Sequence, residues 1–415
     1  MSEIALIGIG PGNTGALTKE AALFCEQADL LIGAARMLEA VAGEGQNCFC
    51  AYQPEKILAC IHEHSDAEKI AILMSGDTGF FSGAKKILPL LPADTRIIPG
   101  ISSVSMFCAR LRTSWDDILV TSMHGKNCNL TGLVRTNRRV FSILGKTDAV
   151  RRIAEELQYF GLNHIRVSVG EQLGYPEENI TCGSVEDFLS YENHPLCVLL
   201  LENPEPETVK THGIPDEAFI HGDVPMTKEE VREISISKLR LGESFVLYDV
   251  GAGTGSVSVE AARLDSSGCV FSIEKKAAAV ELLRKNRRHF GASNMEIIEG
   301  TAPGALEDLP APTHAFIGGS SGELRDILRL LLDKNPKIRV VINAITLETL
   351  TEALTALREL PFTDVDIACV NVSKARSVAR YHMMTAHNPV YVIAADGNAE
   401  ETGSTSSDTG DRFVL

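Results

Sequence analysis

The sequence is short of positive charge: 39 lysines and arginines stand against 55 aspartates and glutamates in 415 residues, a formal net charge of −16. A surface for nucleic acid needs a basic field, because counterion release supplies most of that affinity. The balance therefore argues against a nucleic-acid partner and for small-molecule chemistry, with room for a local basic pocket around an anionic ligand. Also missing is any apolar run near the ~20 residues of a membrane span. The start has no basic stretch followed by an apolar signal core, so the expectation is a cytoplasmic protein without a membrane partner. None of the ten cysteines forms a C-x-x-C pair, a usage that fits reduced thiols. No repeat of solenoid length appears, and the two halves do not read as copies. What the chain does have is 44% hydrophobic residues, enough for two or three domains with proper cores.

Up to about Leu201, β-rich runs (IALIGIG, DLLIG, KIAILMS, TRIIPG, DILVTSM, RVFSILG, IRVSVGE, LCVLLLE) alternate with helical patterns such as TKEAALFCEQA and TDAVRRIAEELQYF. The alternation predicts an α/β fold with substantially parallel sheets over residues 1–206. ENPEPETVKTHGIPDEAF is rich in Pro, Glu and Thr, and predicts an interdomain linker over 207–222. A second α/β series occupies 223–396, with strands at FVLYDVG, CVFSIE, MEIIEG, HAFIGG, RVVINA, VDIACVNV and PVYVIAA. The polar, acidic residues 397–415 read as a disordered tail.

Each half carries a glycine loop. In the first, GIGPGNTG, Gly10, Gly12 and Gly15 satisfy the dinucleotide spacing G-x-G-x-x-G. The context is poor, because no acid closes the next strand (Asp29 begins its run) and Pro11 removes one backbone N–H that a phosphate would need. The second loop, LYDVGAGTGSVSVEAARL, ends a strand at Asp249 and sets Gly251, Ala252, Gly253, Thr254 and Gly255 before a helix. Glu274 ends the following strand, at the distance where an acid receives hydrogen bonds from ribose hydroxyls. EGTAP, after the third strand, offers small groups to an adenine. Loop, acid and strands in this order resemble the S-adenosylmethionine (SAM) site of class I Rossmann-like methyltransferases.

The resemblance narrows with PMTKEEVR, DVGAGTGSVSVE, EGTAPGAL, FIGGSSGEL and VINAITLET, which are similar to the decarboxylating methyltransferases that act at C-15 of a corrin precursor in cobalamin synthesis. It implies that Thr227 and Ala302 also line SAM. Lys275-Lys276 departs from that family, in which an acid or Pro is more usual. In the first half, IGIGPG, GAARML, SGDTGFFSGA, IIPGISSV, SMHGK, GEQLGYPEENI and LCVLLLEN resemble the tetrapyrrole (uroporphyrinogen/precorrin) methylases, a two-subdomain fold. That likeness implies a second SAM site near Gly76, Asp77, Thr78, Phe80, Ser102 and Ser103, with Pro11 in the floor. Thr78 replaces the usual Pro after Gly-Asp. The two families in this order resemble the bifunctional precorrin C-5,15-methyltransferases. This likeness implies methylation of a precorrin (precorrin-6B type) at C-5 and C-15, loss of the ring C acetate carboxyl, and self-association.

A substrate ringed with acetates and propionates needs cations. Arg36, Lys85, Lys86, Lys126, Arg135, Arg138 and Arg139 are the candidates in the first half, and Lys374, Arg376, Arg380 and His382 in the second. No catalytic acid or base is assigned, since methyl transfer to an electron-rich carbon rests on positioning in a dry pocket. Competing readings are weaker. FIGGSSG fits a nucleophile elbow at Ser320 with Asp366 and His382 or His387 following, but it would end the fourth strand of a SAM domain. CFC and CIHEH lack zinc spacing, so no metal is assigned. A methyltransferase for diphthine or RNA would suit a more basic chain, and a non-catalytic SAM or tetrapyrrole sensor would show degraded loops.

Overall fold

A computed structural model describes residues 2–123, 129–207, 213–265 and 267–399. Lys126 and most of the acidic tail lie outside the described residues. Residues cluster into two compact units: 1–126, 137–158 and 162–206 in one, and 127–136, 159–161 and 207–415 in the other.

The first unit holds two five-stranded sheets. Strands β1 (Glu3–Gly8), β2 (Leu30–Gly33), β3 (Cys48–Cys50), β4 (Lys69–Met74) and β5 (Arg96–Ile98) form the first. Their order is β3-β2-β4-β1-β5, every pair parallel. Both faces of this sheet are covered, so β1 and β4 are near-continuous apolar runs. Strands β6 (Leu119–Ser122), β7 (Arg139–Leu144), β8 (Arg166–Glu171), β9 (Asn179–Ser184) and β10 (Cys197–Glu202) form the second, in the order β6-β7-β10-β8-β9. Here the expectation of parallel strands fails: only β6–β7 is parallel, and the other three pairs are antiparallel. The short 172–178 turn between β8 and β9 is long enough for a hairpin and too short for a crossover. Polar β9 had no apolar run to mark it.

The second unit is built on one seven-stranded sheet. Its strands are β11 (Val246–Val250), β12 (Cys269–Glu274), β13 (Met295–Glu299), β14 (His314–Ile317), β15 (Arg339–Ala344), β16 (Phe362–Val370) and β19 (Val390–Gly397). A separate hairpin, β17 (Ser373–Val378) with β18 (Tyr381–Ala386), is inserted before β19. The sheet order is β13-β12-β11-β14-β15-β19-β16, parallel except for β19 and its two neighbours. Strand order reverses between β11 and β14, the switch point at which open α/β sheets bind ligands.

Residues 213–220, read from composition as linker, are instead packed into this unit. Phe219 is buried in the core, and Ile220 exchanges two hydrogen bonds with the Asn286 amide at 2.9 Å each. The Glu260 carboxylate receives the N–H groups of Gly213 (2.7 Å) and Ile214 (3.1 Å). Arg232 has no exposed surface and gathers the segment: Nε donates to Glu260 (2.5 Å), Nη1 to Asp216 (3.2 Å) and Nη2 to the Ile214 carbonyl, with Phe219 under its guanidinium. A buried guanidinium with two carboxylates is tolerated only when its donors are satisfied, which fixes the segment's path.

Candidate active site

In the second unit, the carboxyl ends of β11, β12, β13, β14 and β15 surround a cavity of about 700 Å³. That volume lies within the range of small-molecule sites. Gly251, Ala252, Gly253, Glu274, Ala302 and Thr227, all marked in the sequence, line it together. The Glu274 carboxylate ties the walls: it accepts the N–H of Gly253, Lys275 and Lys276, each at 2.9 Å. Gly251 has φ +74, and a Cβ there would meet the Gly319 carbonyl at 2.8 Å, so the loops after β11 and β14 approach backbone to backbone. Thr227 is held from below, its carbonyl receiving Arg232 Nη1 at 2.7 Å. A lone acid and glycine-walled space between parallel strand ends fit a nucleoside-bearing group such as SAM.

Three residues expected in the same site stand outside the cavity lining. Thr254 is buried, with its carbonyl bonded by Asn286 (2.8 Å). Gly255 has φ +80 and gives room to Leu283, a packing demand rather than a ligand one. Asp249 is buried beneath the loop, where it accepts the Ser258 hydroxyl (2.5 Å) and N–H (3.1 Å), while its second oxygen has no partner among the described residues. Burial pushes its carboxyl up to about 7, against the opposing pull of the Ser258 hydrogen bonds.

The cations do not fall where the sequence suggested. Lys374 pairs with Glu230 (2.8 Å) and Glu229 (3.7 Å); Arg376, Arg380 and His382 sit exposed on the β17–β18 hairpin, away from the cavity lining. Lys228, Lys275, Lys276 and His387 line the cavity instead, with Asn343 and Asn388. The one signal for them was the unusual Lys275-Lys276 pair. Ser320 also lines the cavity, but Asp366 is bonded to Lys238 and is not available to a triad.

In the first unit the loops marked by sequence converge at the carboxyl ends of β1, β4 and β5. Gly10 and Gly76 exchange backbone hydrogen bonds at 3.1 and 2.8 Å. A Cβ on Gly100 would meet the Gly8 carbonyl at 2.5 Å, so three strand ends meet with no side chain between them. Asp77 closes its own turn, accepting Gly79 N–H (2.8 Å) and Gly100 N–H (3.2 Å). Thr78 lies between these contacts and Phe80, whose ring packs toward Phe141 of β7. Ser102 caps the helix Ser103–Arg110 through Ser105 N–H. Pro11 packs against Gly174. Arg139 is spent on Asp117 (2.6 Å) and Thr113 (2.8 Å), a correction to its reading as a substrate cation; Arg138 is exposed. Arg135 lies in the second unit, paired with Glu207 at 3.0 Å.

Family models match both units: one described as precorrin methyltransferase domain over residues 217–396, and one for tetrapyrrole (corrin/porphyrin) methylases over 3–189. A probable cobalt-precorrin-6B C(15)-methyltransferase (decarboxylating) from Pyrobaculum calidifontis is 42% identical over 188 residues, 45% of this chain and 96% of the relative. The chain belongs to the precorrin methyltransferase family. A precorrin-6Y C(5,15)-methyltransferase [decarboxylating] from Sinorhizobium sp. is 28% identical over 352 residues, spanning 83% of this chain and 84% of that one. A crystal structure of precorrin-6Y C5,15-methyltransferase from Geobacter metallireducens is 41% identical, with TM-score 0.42, covering 44% of this chain and 95% of that one.

Proposed function

We propose that the chain transfers methyl groups from SAM to C-5 and C-15 of a precorrin of the 6B type and removes the carboxyl of the ring C acetate, in cobalamin synthesis in the cytoplasm. A domain of residues 1–206 acts at C-5; a domain of residues 223–396 acts at C-15 and decarboxylates. Each holds one SAM, and the chain self-associates. The observation that carries the reading is the cavity at the switch point, where Gly251–Gly253, Glu274, Thr227 and Ala302 meet beside Lys228, Lys275 and His387. SAM supplies an electrophilic methyl on a sulfonium.

The protein's own share is positioning. Glu274, held by three backbone donors, offers its remaining lone pair, on Oε2, to a ribose hydroxyl. Lys275 bonds Ser321 at 2.8 Å across the cavity mouth, where its charge can meet a substrate carboxylate. Decarboxylation needs that carboxylate ionised and an electron sink, which a protonated tetrapyrrole provides.

Purified protein incubated with SAM and a precorrin extract tests the reading by mass. Two methyls gained with carbon dioxide lost is the expected result. One methyl with decarboxylation identifies a silent first unit, and no mass change overturns the substrate.

A further inference from the structure

The half-buried Arg36 of the first unit has no carboxylate partner among the described residues. Its Nη1 donates to the Tyr175 hydroxyl oxygen at 3.0 Å. Because the phenol accepts there, its own O–H is left to donate elsewhere. Among the described residues, neither that O–H nor the other guanidinium N–H groups of Arg36 has an acceptor. Arg139, comparably withdrawn from solvent, is by contrast neutralised by Asp117.

The pair is built rather than incidental. Tyr175 sits on the 172–178 turn, whose Gly174 carbonyl receives Asn13 Nδ2 (2.5 Å) and whose Gly174 N–H is held by Glu178 (2.6 Å). Glu178 is itself fixed by Arg110 at 2.7 Å. Gly12 has φ +99, and a Cβ there would meet Tyr175 Cζ at 2.7 Å, so no side chain at position 12 coexists with this ring. The same loop bonds Gly76 through Gly10, which sets the Arg36–Tyr175 pair beside the strand ends where β1, β4 and β5 converge.

We propose that Arg36 and Tyr175 form a clamp for one peripheral carboxylate of the tetrapyrrole, setting which meso carbon the first unit presents for methylation. The clamp rests on the reading of that unit as the C-5 methylase. A guanidinium and a phenolic hydroxyl side by side offer a carboxylate two donors and one positive charge, and hydrogen bonds to charged groups are the strong ones. Tyr175 binds substrate, and the bare backbone of Gly12 leaves the space its ring fills.

The test is Tyr175→Phe in the full chain, which keeps the ring and removes the donor. With SAM and the precorrin extract, its KM for tetrapyrrole in C-5 methylation rises about 10-fold or more. Its kcat, its KM for SAM, its C-15 methylation and its melting temperature stay at the wild-type values. An unchanged tetrapyrrole KM overturns the clamp alone. A variant that loses kcat together with melting temperature also overturns it, since the tyrosine is then structural. Wild-type protein that never adds the C-5 methyl overturns the reading of the first unit, and the clamp with it.

Discussion

The two units both place glycines at the ends of parallel strands, with different results. In the first, Gly8 and Gly100 lack the side chains that would hold three backbone segments apart, Gly10 and Gly76 take φ +65 and +68, and Gly12 makes room for Tyr175. In the second, Gly251 and Gly253 wall a cavity, while Glu274 closes it through backbone N–H groups. The loop that matches the dinucleotide spacing is the one used for packing, and the loop that violates it borders the ligand-sized space. A glycine pattern reports that backbone must come close to something. It does not report what.

The sharpest way to break the comparison is Gly100→Ala. Its methyl would fall 2.5 Å from the Gly8 carbonyl, forcing β1, β4 and β5 apart at their shared end. Displacement on the scale of 1 Å at such a site costs on the order of 100-fold in rate, so C-5 methylation should drop by that much while C-15 methylation persists. Product mass after a fixed incubation reads both activities at once.

Next in size is Arg232→Met, which leaves Glu260 buried without its counter-charge and Asp216 with Lys228 at 3.7 Å. Removing one partner of a buried ion pair costs about 3–5 kcal/mol. Denaturant unfolding should show the second unit losing that much stability while the first unit's transition stays in place. Glu274→Gln is milder. It makes one carboxylate oxygen an NH2 that cannot accept the N–H facing it and leaves the other oxygen neutral, and the second unit's affinity for S-adenosylhomocysteine should fall about 10-fold by calorimetry.

A pH slope tests the second unit from another side. Folded Asp249 titrates at about 7, well above an unfolded aspartate near 3.9, so between roughly pH 4 and 7 the folded chain keeps a proton the unfolded chain has released. Its contribution to stability is full below about pH 4 and is lost as pH rises through 7. Asp249→Asn should flatten that part of the second unit's stability curve, measured by denaturant midpoints between pH 5 and 8.

Much of this was legible in the sequence, for a physical reason. Strands buried on both faces must be apolar throughout, so β1, β4, β10, β11 and β15 announce themselves as IALIG, KIAILM, CVLLLE, VLYDV and RVVINA. Strands exposed on one side or both do not: β9 reads NITCGS, and β17 and β18 are exposed almost throughout. The 213–220 segment was hidden because its composition is that of a linker, while what holds it, Arg232, Glu260 and Asn286, lies many residues downstream. Arg139 and Lys374 read as free cations because a sequence shows charge but not the carboxylate folded against it. Lys228 stood inside PMTKEEVR and His387 in the nucleophile-elbow reading, and neither pattern marked them as cations that line the cavity.

The central claim is that each unit binds its own nucleoside ligand, and titration calorimetry with S-adenosylhomocysteine tests it most directly. Wild-type protein should bind two molecules per chain, Gly100→Ala should bind one, and Glu274→Gln should weaken the site that Gly100→Ala leaves intact. A single site per wild-type chain, or loss of both sites in Gly100→Ala, would contradict it.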